Sequence, residues 1–159
     1  MLAIARRRPA VLSAGALGVL VLAVVAWFLI SPLFIRTSLI EVPAASSGVP
    51  VARGSFNEID VVHKGRGDAV LSRAADGRLV VSLERFSVTN GPDLHVFLSR
   101  HASPTGDAEV KDGVLLGKLK ASDGAFAYET DVPLDPAEFK SVVIHCVAFR
   151  TTFSVATLR

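Results

Sequence analysis

Apolar residues fall along this chain in two regimes. Over residues 9–35 they run for 27 positions without a charge, longer than the roughly 20 residues a helix needs to cross a bilayer. After residue 53 they come in short bursts between turn residues. Leu79, Val81 and Leu83 alternate with Val80, Ser82 and Glu84, and Leu94, Val96 and Leu98 alternate with His95 and Phe97. That period of two belongs to strands with one face more buried than the other. Residues 141–149 are apolar and rich in β-branched side chains, which predicts a strand buried on both faces. Further strands are expected over 69–73, 114–119, 125–130 and 152–158. Ala75-Asp76-Gly77, Asn90-Gly91-Pro92 and Ser122-Asp123-Gly124 supply turns. Residues 101–113 form a polar excursion, and Asp135-Pro136 predicts one helical turn capped by Asp135.

This pattern predicts an all-β domain, an antiparallel β-sandwich or barrel-like fold, preceded by a single transmembrane α-helix. The expected organisation is a basic N-terminus over 1–9, a signal anchor over 10–35, a Pro/Ser-containing linker over 36–53 and the β-domain over 54–159. Trp27, Phe28 and Phe34 cluster toward the far end of the span, where aromatic rings favour the membrane interface. Arg6, Arg7 and Arg8 precede the span and only Arg36 follows closely, which places the N-terminus in the cytoplasm and the domain outside the cell membrane. Val42-Pro43-Ala44 before Ala45 is cleavage-like. A cleaved signal, however, has an apolar core of about 7–15 residues, so an uncleaved anchor is expected.

Charge narrows the partners. Over residues 1–45, Arg6, Arg7, Arg8 and Arg36 against Glu41 leave +3, and the remaining 13 basic and 14 acidic residues leave −1. A near-neutral exported domain has no electrostatic footprint for nucleic acid. The expected partners are membrane lipid through the helix, and an extracytoplasmic redox partner or cell-surface ligand.

Chemistry centres on Cys146, the single cysteine. It cannot form an intramolecular disulfide, so it is either a small core hydrophobe or a thiol with a task. On a regular strand it points with Ile144, while His145 points with Val143 and Val147. A base or co-ligand would therefore come from elsewhere, with His63 and His95 as candidates. Asp93 is a turn residue first and a ligand-site residue second, and His101 falls in the polar excursion. No Cys-x-x-Cys-His motif is present, which excludes covalent c-type haem. Met1 is the only methionine and no histidine follows Cys146, so the usual blue-copper loop is missing. A closed zinc site would need four ligands. Non-covalent haem or another metal stays open, and the cofactor is unassigned. A cysteine transpeptidase of the sortase kind would carry Thr-Leu-x-Thr-Cys where this chain has Val143-Ile144-His145-Cys146. A redox or binding domain therefore fits better than a turnover enzyme.

Several segments, in order, resemble one family. Phe56 followed by Asp60-x-x-His63-Lys64-Gly65-x-Gly67 resembles the opening of the DM-thirteen domain, found also in Skeletor-type proteins. Phe86-x-x-x-Asn90-Gly91-Pro92-Asp93-Leu94-His95-Val96-Phe97-Leu98-Ser99 is similar to its most characteristic segment. Leu116-Gly117-x-Leu119-Lys120, Gly124 and Tyr128 continue it, and Val143-Ile144-x-Cys146-x-x-Phe149-x-x-x-Phe153-x-x-Ala156-x-Leu158 closes it. The resemblance implies an exported β-sandwich with an electron-transfer role centred on its cysteine. The alternative is a non-enzymatic binding or adhesion module whose Cys146 is structural. One departure is His145, where the family often has Trp.

Overall fold

The computed structural model describes residues 8–41 and 48–159, and the chain divides into two compact units, Met1–Ile35 and Arg36–Arg159. The first unit holds helix α1 (Arg8–Phe34). Its composition, dominated by Ala and Leu with Val, sustains a helix, and Pro9 sits in the first turn, where a missing N–H costs nothing. Leu17, Leu20, Val21, Leu22, Val24 and Trp27 are all exposed on it. Among the described residues no helix is long and apolar enough to cross a membrane. The side chains are described without a break only over residues 15–27, fewer than the roughly 20 a span requires. Arg6, Arg7 and the cleavage-like Val42-Pro43-Ala44-Ala45 lie outside the described residues, as do the side chains of Phe28 and Phe34.

The second unit is mostly β. Its strands are β1 (Ser38–Ile40), β2 (Gly48–Glu58), β3 (Gly65–Ala74), β4 (Arg78–Val88), β5 (Leu94–Ser99), β6 (Val114–Lys118), β7 (Asp123–Pro133), β8 (Ser141–Cys146) and β9 (Thr151–Thr157). They form one nine-stranded sheet in the order β1-β7-β4-β3-β2-β9-β8-β5-β6. The sheet curls at β2, which pairs with β3 as far as Ser55↔Asp68 and with β9 from Phe56↔Ala156. Curling brings Leu71, Leu79, Val81 and Leu83 of one half into a single core with Val96, Leu98, Val142 and Ile144 of the other. The result is a half-barrel with one edge strand that runs parallel. Edge-to-face rings, Phe56–Phe86 at 5.1 Å and Phe86–Phe126 at 5.8 Å between centroids, thread the interior. At the open side the Tyr128 hydroxyl donates to the Lys118 carbonyl at 3.1 Å and accepts from the Lys120 N–H at 3.0 Å. Burial pushes that phenol up to about 12.

Three sequence expectations are modified. The sheet is mixed, because β1 pairs parallel with β7 through Leu39↔Gly124. Gly124 permits this with a φ of +133°, and a Cβ there would meet the Leu39 backbone. The stretch expected as a linker contributes β1 and the first half of β2, and residues 42–47 of it lie outside the described residues. Finally, the apolar strand stops at Cys146. Residues 147–150 form a turn in which Arg150 takes a φ of +54° and Phe149 is 68 % exposed. The strand itself is buried on both faces, as expected.

The outer face of β8 is covered by α2 (Asp107–Lys111), a short helix within the polar excursion. Its Val110 packs with Phe97, Val143 and Val155 in a second, smaller apolar cluster. The predicted helical turn is a 3-10 turn, Pro136–Glu138, where Asp135 accepts from the Ala137 N–H at 3.0 Å.

Candidate functional site

Three connections meet at one end of the half-barrel: the β2–β3 loop over residues 59–64, the β4–β5 loop over 89–93, and the β8–β9 turn. Hydrogen bonds tie them together. Thr89 N–H donates to the Lys64 carbonyl at 2.9 Å, Lys64 N–H donates to the Thr89 hydroxyl at 3.2 Å, and Val147 N–H donates to the Asp93 carbonyl at 3.0 Å. Gly91 lets the second loop close on this end, since a Cβ there would come within 2.8 Å of Leu94 and 2.9 Å of Phe153.

Cys146 ends β8 at this point, opposite Leu94 of β5 and Thr151 of β9. The thiol is free, 0 % exposed, and packed in the main core with Leu94, Ile144 and Phe153. Among the described residues it has no hydrogen-bond partner. Surrounded by apolar groups, it packs as a small hydrophobe.

His63 is built into the neighbouring loop by Asp60. One Asp60 oxygen accepts from the N–H groups of Val62 and His63, each at 2.7 Å, and the other lies 2.7 Å from His63 Nδ1. These hydrogen bonds, the one to the imidazole foremost, hold the Asp60 carboxyl down at about 2. An ionised carboxylate only accepts, so Nδ1 carries the proton, and in the neutral ring Nε2 is left as an acceptor. The ring stands edge-on to Phe153, with centroids 4.5 Å apart, and Phe153 shares the core cluster of Cys146. His63 thus packs on a ring that belongs to the same core cluster as the thiol.

His95 and Asp93 lie at the same end but face elsewhere. His95 Nδ1 sits 3.3 Å from the Asp93 carbonyl oxygen and 3.6 Å from its carboxylate. His95 is the cross-strand partner of His145, while Leu94 is the partner of Cys146. Because successive residues of a strand alternate faces, both imidazoles stand on the face opposite the thiol. His95 is therefore removed as a direct base for Cys146, for the same reason that His145 is.

His145 has a partner of its own that the sequence pattern does not reveal. It is 0 % exposed, with Nε2 3.0 Å from Asp107 Oδ1 on α2 and Nδ1 3.3 Å from the Thr152 hydroxyl. Asp107 also pairs with Lys111 at 2.9 Å, and that contact first, His145 second, draws its carboxyl below the usual range. Nε2 therefore donates to Asp107, and in the neutral ring Nδ1 accepts from Thr152. Asp107 lies 38 positions from His145, inside a five-residue helix with no periodic signal. His101 pairs with Asp112 at 3.2 Å on the surface.

Among the described residues no three His, Cys, Asp or Glu side chains converge as a metal site requires. The strand register contributes to this: it puts His145 and its cross-strand partner His95 on the face opposite the thiol.

Fold and site together define a mostly β domain with one buried thiol at the loop end of a curled sheet. A profile described as electron transfer DM13 matches residues 56–158, and the chain belongs to that family. No curated protein and no solved structure matches it.

Proposed function

We propose that the chain is a single-pass, membrane-anchored extracytoplasmic domain that passes electrons through Cys146. Family membership carries the reading, since Cys146 is the one redox-capable thiol within the matched segment. Its place at the end of β8, under a loop end where His63 packs on Phe153, supports it. In the step proposed, the Cys146 sulfur gives one electron to an oxidised one-electron acceptor protein outside the cytoplasm. The thiol proton passes to His63 Nε2 as the Phe153 ring moves aside, leaving a sulfur radical. A one-electron donor protein then returns the electron and His63 returns the proton, restoring the thiol. Asp60 acts as a positioning residue by fixing the His63 tautomer.

The anchor is supported by the uncharged run over residues 9–35 and by described α1 side chains that are apolar on all sides, the character of a helix surrounded by lipid or by protein. Full burial of Cys146 favours the second reading, a binding or adhesion module whose cysteine only fills the core.

One preparation separates the two. The full chain, purified in detergent, is assayed for visible absorbance, haem and metals, and its thiol is titrated folded and unfolded. A thiol that reacts in the folded state, more slowly after His63→Gln, supports electron transfer. A colourless, metal-free protein whose thiol reacts only after unfolding sinks it and leaves the binding module.

A further inference from the structure

We propose that the cleft across β2 and β9 is an oxyanion site, with the Arg53 and Arg159 guanidinium groups as a clamp for a phosphate or carboxylate. Arg53 N–H donates to the Arg159 carbonyl at 3.0 Å, and Arg159 N–H donates to the Arg53 carbonyl at 2.8 Å. Such a reciprocal pair puts the two residues directly opposite each other. Their side chains then leave the sheet on one face, with Cβ atoms roughly 5 Å apart. Two like charges so placed destabilise a sheet, and the offset is one-sided. Arg53 faces Glu84 at 4.0 Å and, after Ser55 and Arg85, helps lower the Asp68 carboxyl, whereas the Arg159 guanidinium has no such partner among the described residues. Asp68, the acidic group lining the cleft, is already taken by the Ser55 hydroxyl at 2.7 Å and by Arg85.

The cleft has a volume of about 550 Å³ and is lined by Arg53, Ser55, Asn57, Asp68, Thr157 and Arg159. That size lies within the range of small-molecule sites, about 300–1,000 Å³. Along β2 the polar residues Arg53, Ser55 and Asn57 point outward and Phe56 into the core, so the floor is a row of polar side chains. Guanidinium forks match the planar oxygens of a carboxylate or phosphate, and one oxyanion bridging both would turn the repulsive pair into an attractive triad. Asn57 adds an amide for a hydroxyl or carbonyl next to the anionic group. Arg53 lies five residues from Glu58, where the β2–β3 loop begins, roughly 17 Å along the strand. The arginine pair is therefore set apart from the Cys146 end, although the Asn57 end of the cleft adjoins the loop, and the site does not rest on the electron-transfer reading.

The test uses the full chain held in phosphatidylcholine nanodiscs, following the arginine Nε–Hε resonances by NMR. Inorganic phosphate and glucuronate are titrated in turn, and a parallel sample replaces part of the lipid with phosphatidylglycerol. Saturable shifts at Arg53 and Arg159 are expected. Arg53→Gln and Arg159→Gln should each weaken binding roughly tenfold, while Arg73→Gln leaves it unchanged. The unfolding midpoint without added anion should not fall in Arg159→Gln, because a like-charge pair has been relieved, and the anion-dependent rise seen in the parent should disappear. Shifts with free anions assign the site to a soluble ligand. Shifts only with phosphatidylglycerol assign it to a lipid headgroup. No saturable shift in any arm, or undiminished binding in both arginine variants, overturns the site.

Discussion

The Asp60–His63 couple shows how much a single carboxylate organises at the loop end. It accepts two backbone N–H groups and an imidazole N–H, so its ionised form is favoured in the folded chain and its pKa falls from 3.8 to about 2. A carboxyl with a depressed folded pKa adds stability above its unfolded value, and that stability is lost as pH falls through the folded one. Asp60 therefore helps hold the fold above about pH 4, and its contribution fades between about pH 4 and 2. Asp60→Asn should lower the urea midpoint at pH 7, and the gap to the parent should close as pH falls toward 2. Glu41, Asp68, Asp76, Asp107 and Glu109 are lowered in the same direction, so the parent also weakens in acid. The difference between parent and variant isolates Asp60. A gap that stays constant across that window would remove Asp60 as the organiser of the His63 loop.

Among the elements, α2 is the one whose attachment can be taken apart. Its Val110 packs on Phe97, Val143 and Val155, and its Asp107 meets the buried His145. The two ends of that hydrogen bond are unequal, since Asp107 keeps 24 % of its side chain in water and His145 keeps none. Asp107→Ala leaves a buried ring nitrogen without an acceptor, which costs roughly 1–3 kcal/mol. His145→Leu lets Asp107 rehydrate and keeps the apolar volume, so it should be nearly neutral. With leucine at position 145, adding Asp107→Ala should cost little. Urea unfolding of the four proteins, with amide exchange at Val110, checks this, and an equal cost of Asp107→Ala in both backgrounds would show that the bond does not hold α2.

The same elements mark what the sequence disclosed. Strands with clean alternation, such as β4 and β5, and the doubly buried β8 were legible because their side-chain period reports burial directly. β1 and β2 were not. β1 has three residues, and β2 buries only Phe56 fully along its described length, with Pro50 beside an irregularity in its pairing. The opposite facing of Cys146 and His145 followed from strand geometry alone. That His95 shares the His145 face required the pairing of β5 with β8, a long-range register that no local pattern encodes.

At the scale of the whole molecule, the reading depends on the side of a membrane on which the β-domain sits. Arg6, Arg7 and Arg8 precede the uncharged run and Arg36 follows it, and an excess of basic residues stays on the cytoplasmic side. Arg36 is also occupied within the domain, with Nε 3.0 Å from Asp123 and Nη2 donating to Ser87 at 3.1 Å and to the Val88 carbonyl at 3.2 Å. Folding of the domain therefore engages the one basic group that would compete with the N-terminal three. A reporter active only outside the cytoplasm, fused after Arg159, should be active, and the full chain should resist alkaline extraction from membranes. Changing Arg6, Arg7 and Arg8 to Glu should lower reporter activity severalfold, whereas Arg36→Gln should leave it high while loosening β1 from β7. Release of the parent by alkali, or an inactive reporter on an intact fusion, would sink the anchored, outward-facing arrangement, and with it the access of Cys146 to an extracytoplasmic acceptor.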